Sequence, residues 1–128
     1  MNEVEVMEEW FEMANKDLES AKFLKDMRPQ PLEVICYHCQ QSAEKYLKGY
    51  IASQDDKVIR THDLVDLNKK CRNYVADFSK ISEECLRLTD YGVNVRYPFH
   101  FELKKSDMEL AIKDASAIKK FVLRIVDK

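Results

Sequence analysis

Apolar residues recur along most of this chain at steps of three and four, the spacing of one helix face. From about Val4 to Met27 the stripe is Trp10, Ala14, Leu18, Ala21 and Leu24, with Met7 and Phe11 alongside, which predicts a long amphipathic helix. Arg28, Pro29, Gln30 and Pro31 break it, because proline restricts the residue before it and cannot donate to a continuing helix. That connection is short, so the first two helices are expected to run antiparallel.

The stretch from Pro31 to Gln54 is the broadest apolar surface in the chain. Ile35, Cys39, Ala43, Tyr46 and Tyr50 form one stripe, and Cys36, Leu47 and Ile51 carry it further round the cylinder. Such a helix belongs at the centre of a bundle, packed against the first, third and last helices. Gln40, Gln41, Glu44, Lys45 and Lys48 sit between the stripes, where a bundle must pair them or open onto water.

After a polar connection to Arg60, Thr61 is placed to cap a helix beginning at His62, with Leu64, Leu67, Cys71 and Tyr74 on its inner face. A break is expected between Asp77 and Ser79, then a short helix carrying Ile81, Cys85, Leu88 and Tyr91. Gly92 to Lys105 has no helical period. Ser106 and Glu109 read as a capping box for a last helix whose stripe is Ala111, Ala115, Ile118, Val122 and Ile125. The expected core comprises Trp10, Leu18, Cys39, Ala43, Leu47, Leu67, Leu88, Ala115 and Val122.

Composition sharpens this picture. Only 2 Gly and 3 Pro among 128 residues leave little for a turn-rich β fold, so the chain is expected to be all-α and a single domain. A net charge of -2 gives no general attraction to phosphate backbones or anionic lipid. No apolar run reaches the length of a membrane span, and the acidic start is unlike a signal peptide, so a cytoplasmic protein with no membrane contact is expected. The 4 cysteines are then free thiols. Cys36 and Cys39 flank His38, but no second pair exists to complete a tetrahedral shell, so no metal and no cofactor are expected and burial accounts for the thiols.

The order of features resembles the HEPN family of small helical proteins: Trp10 with Ala14 and Asp17-Leu18, the run Gln40-Gln41-Ser42-Ala43-Glu44-Lys45-Tyr46-Leu47-Lys48, Thr61-His62-Asp63-Leu64, and Arg96-Tyr97-Pro98. The resemblance spans nearly the whole chain. It implies an up-and-down four-helix bundle with a short additional helix, a homodimer, and often a minimal nucleotidyltransferase as partner subunit. Some members resemble nucleotide- or substrate-binding partners of that transferase. Others are ribonucleases of toxin-antitoxin pairs, in which an arginine and a histidine separated by four to six residues meet across the dimer interface.

Arg96 and His100 are the nearest counterparts here, with three residues between them and Tyr97 where those ribonucleases carry a polar side chain. The tyrosine that some toxins place two residues after the histidine is replaced by Glu102. Candidate nucleotide-binding residues are therefore Arg96, Tyr97 and His100, offering a guanidinium for phosphate, a ring for a base and an imidazole, together with Glu44, Lys45 and Lys48. The competing reading is metal-independent RNA cleavage, with Arg96 and His100 as the catalytic pair. His62, next to the expected cap, is read as structural, donating to a nearby carbonyl.

Overall fold

A computed structural model describes residues 1–92 and 102–127. Among them are five α-helices and no strand: α1 (Glu3–Leu24), α2 (Leu32–Ser53), α3 (Leu64–Arg72), α4 (Ser82–Leu88) and α5 (Lys105–Val126), with 3-10 segments at Ala76–Ile81 and Thr89–Gly92. The all-α bundle is as the apolar spacing predicts. No helix among the described residues is long and apolar enough to cross a membrane.

Helix α2 is the axis. It packs against α1, α3 and α5, as its broad apolar surface predicts, and also against α4 and the Thr89–Gly92 segment. Ile35, Cys36, Cys39, Ala43, Tyr46, Leu47, Tyr50 and Ile51 are all buried. Antiparallel packing of α1 on α2 follows from the short connection, and Gly49 lets the two approach closely. A Cβ there would lie 2.7 Å from the Phe11 ring and 2.9 Å from the Trp10 Cβ, so any side chain would push the helices apart.

The connection from α2 to α3 makes its own return stroke. His62 ends it beside Gln40 and Glu44, Cys71 lies at Leu47, and the Tyr74 ring meets Tyr50, so α3 runs alongside α2 in the same direction. Val58 and Ile59 pack on the core as the connection passes, and Asp55 takes the left-handed conformation at φ 54 where α2 ends. Helix α4 then turns back, and α5 again runs with α2: Asp107 lies near Cys36 at one end, while the Phe78 ring bridges Tyr50 and Phe121 at the other.

Four local expectations are corrected. Asp63, rather than Thr61, caps α3, its carboxylate accepting from the Val65 amide at 2.8 Å; Thr61 instead accepts from the Asp63 amide at 3.1 Å. Helix α5 opens one residue before Ser106, and the first-turn carboxylate that satisfies its start is Asp107, accepting from the Lys104 amide at 2.9 Å, not Glu109. In both places an aspartate carboxylate, a stronger acceptor than a hydroxyl, takes a free amide at the helix start. Trp10 is half-buried rather than in the core, while the other expected core residues are buried. The expected break from Asp77 to Ser79 is instead spanned by the Ala76–Ile81 3-10 segment, which buries Phe78 and Ile81.

Candidate functional site

A polar stripe runs along one side of α2 at four-residue steps: Gln40, Glu44 and Lys48. All three are buried, and they pair with one another. Gln40 Nε2 donates to Glu44 Oε1 at 3.3 Å and to the His62 carbonyl at 2.9 Å, while Gln41 Nε2 donates to Gln40 Oε1 at 2.8 Å. Lys48 Nζ lies 3.0 Å from Glu44 Oε2 and 6.0 Å from the centre of the Trp10 ring. Burying the carboxylate and ammonium together balances their charges, and the indole face shields the ammonium from above.

His62 completes the network from outside. Its Nδ1 lies 3.0 and 3.1 Å from the two Glu44 oxygens, so the carboxylate holds the imidazole edge-on. The Glu44 side chain is 5% exposed and that of His62 71%. The expected carbonyl partner of this ring is therefore a carboxylate, a pairing that sequence reasoning missed. The sequence signal was the four-residue polar stripe itself, which demanded partners that α2 alone cannot supply.

Lys45 lies on another side of α2 and pairs with α1. Its Nζ is 2.5 Å from Asp17 Oδ2, and Asp17 Oδ1 is 2.9 Å from His38 Nδ1. Asp17 thus bridges two turns of α2, a cluster that sequence reasoning also missed. His38 faces this carboxylate rather than the neighbouring thiols. All four cysteines are free and buried, and burial pushes the Cys36 and Cys85 thiols up to about 12 and raises those of Cys39 and Cys71 as well.

Arg96, Tyr97 and His100 lie outside the described residues, which stop at Gly92 and resume at Glu102. Gly92 abuts the polar stripe: a Cβ on it would sit 2.8 Å from the Gln40 amide carbon. The adjoining Tyr91 hydroxyl is pushed up to about 12, chiefly by burial and then by the nearby Cys36, Asp107 and Asp114. On the far side of α4, Arg87 clasps the buried Asp114 of α5 through two bonds of 2.9 Å, which holds its guanidinium above its ordinary range.

The family model of the HEPN domain matches residues 7–126. Among solved structures the chain is similar to the crystal structure of TT1696 from Thermus thermophilus, at 25% identity and a TM-score of 0.78, over 97% of this chain and 98% of that one. It is also similar to ST0689, described as an archaeal HEPN homologue, at 26% identity and a TM-score of 0.71, over 94% of this chain and 97% of that one. No curated protein matches the chain.

Proposed function

The chain belongs to the HEPN domain family, and on that premise we propose that it is a homodimeric binding module holding a nucleotide, or the substrate of a separate minimal nucleotidyltransferase. The observation that carries this reading is the buried Gln40, Glu44 and Lys48 stripe with its exposed His62 edge. Polar groups are costly to bury, and a bundle held only for packing would be as stable with apolar residues there. Gly92 borders that stripe, and four residues further along the chain comes Arg96, followed by Tyr97 and His100. Their side chains suit phosphate and base.

Equilibrium binding of a nucleotide panel tests this. Micromolar to millimolar affinity is expected, and Arg96→Lys weakens it because an ammonium cannot copy a planar guanidinium fork. Absence of binding across the panel removes the reading. Copurification with a nucleotidyltransferase encoded beside it supports the partnership, and sedimentation as a dimer supports the homodimer.

Ribonuclease activity is the second reading, favoured by the presence of both Arg96 and His100. With only three residues between them, and Pro98 stiffening the backbone, the two side chains are less free to meet at one phosphate than in a longer spacing. Incubation with a mixed RNA pool decides: cleavage that disappears in His100→Ala replaces binding with catalysis.

A further inference from the structure

His62 carries a feature that neither helix capping nor packing requires. Capping of α3 belongs to Asp63, and Thr89 Oγ1 accepts from the Leu64 amide at 2.9 Å, so the start of that helix is satisfied without the imidazole. Gln40 fixes the backbone at residue 62 by donating to its carbonyl at 2.9 Å, again without the ring. The ring is nevertheless held by both oxygens of a nearly buried carboxylate, at 3.0 and 3.1 Å, while the side chain as a whole is 71% exposed. A carboxylate on Nδ1 sets the tautomer and orientation of an imidazole, leaving Nε2 as its working atom.

We propose that His62 is a further ligand-contacting residue of this site, its Nε2 donating, in the imidazolium form, to the anionic group of a bound nucleotide. The assignment rests on the nucleotide-binding reading above. With Nδ1–H donating to Glu44, the ring carries a second proton on Nε2 only as the imidazolium, the form that an anion bound at Nε2 favours. Lys48 and Glu44 are covered and bonded to each other at 3.0 Å, so they act through the ring rather than on the ligand. Among the described residues, the charged side chains that stand nearest to His62 in the chain are Arg60 and Asp63, both exposed. Asp63 is next in the chain and engaged as the cap, and the Thr89–Gly92 segment contributes Asp90, which is exposed.

The test is calorimetry of the whole protein with adenosine monophosphate and with inorganic phosphate, in two buffers of different ionisation enthalpy near pH 7.5, a value about one unit above that of a free imidazole. Wild type is expected to take up a fraction of a proton on binding either probe. His62→Gln, at an exposed position and so expected to fold, should lose the uptake and about tenfold in affinity, the value of one charge-assisted hydrogen bond. Glu44→Gln supplies the second variant. A glutamine amide can donate to Nδ1 as well as accept from it, so an Nε2 proton no longer requires the cationic ring, and binding persists, weakened, with less proton uptake. Wild-type binding that His62→Gln leaves unchanged overturns the assignment of His62 and leaves the nucleotide reading standing. Wild type binding neither probe overturns both.

Discussion

Asp17 and Glu44 are each shared between a histidine and a lysine, on different sides of α2, and the two clusters differ in how the chain supplies them. Around Asp17 the histidine and lysine stand seven residues apart on α2, and the carboxylate comes from α1. The side chains are 28%, 13% and 18% exposed for His38, Asp17 and Lys45, so the cluster is a staple set into the seam between two helices. Around Glu44 the carboxylate and lysine are an i, i+4 pair on α2, and the histidine arrives from the connection before α3, with its ring largely in solvent. The same three residue types thus serve to join helices when the histidine is enclosed, and to present an oriented imidazole when it is not. What separates them is the enclosure of the ring and not the chemistry of the carboxylate.

The largest expected effect lies beneath both clusters and sets the conditions under which they can be compared. Burial raises the Cys36 and Cys85 thiols from 9.0 to about 12 and the Tyr46 hydroxyl from 10.0 to about 12. An unfolded chain gives up these protons first, so above pH 9 the folded state binds more protons than the unfolded one. These groups should therefore add no pH dependence below about pH 9 and make stability fall from there to about pH 12, by up to ~1.4 kcal/mol per pH unit for each such group. Urea titrations across this range check the slope. A flat profile would mean that the thiols ionise in place.

Below pH 9 the loss of either carboxylate should be costly. Asp17→Ala strips Lys45 and His38 of their partner inside a helix seam and should cost about 2–4 kcal/mol in urea unfolding. Glu44→Ala leaves the Lys48 ammonium 9% exposed with only an indole face beside it, and about 2–3 kcal/mol is expected. Equal and negligible losses from the two would dissolve the distinction between staple and presented ring.

The histidines give the smallest effects on stability and the sharpest contrast. His38→Ala should cost about 1 kcal/mol, whereas His62→Ala should stay within about 0.5 kcal/mol because its ring lies mostly outside. Ligand affinity should respond in the opposite order, weakened by the change at His62 and untouched at His38. A His62→Ala protein that unfolds as readily as Asp17→Ala would make this ring a second staple.

Much of the bundle could be read from local spacing. The face that each helix buries is fixed by apolar positions three and four apart, and these are visible without knowing what covers them, so α2 declares itself the axis from Ile35 to Ile51. Trp10 marks where that inference stops. Its place in the stripe of α1 is correct, but Gly49 admits only the Trp10 Cβ and the Phe11 ring, and the indole stays at the edge beside Lys48. Capping was legible as a need for a side-chain oxygen near each start, and the choice between a hydroxyl and a carboxylate two residues away depended on which of them the folded backbone brings into line.

Residue order alone is enough to establish that this chain is helical, which side of each helix is apolar, and that the polar residues of α2 require partners, because all three follow from periodicity and from the cost of burying an unpaired charge. The identity of those partners came from packing. Asp17 meets His38 and Lys45 across 21 and 28 residues, and Glu44 meets His62 across 18, because α1 packs antiparallel on α2 while the connection from residue 54 to residue 63 runs back along it. The short connection implies the direction of α1 on α2, but the register of that packing and the path of the connection to α3 arise from contacts far apart in the chain, of which a local pattern contains no trace.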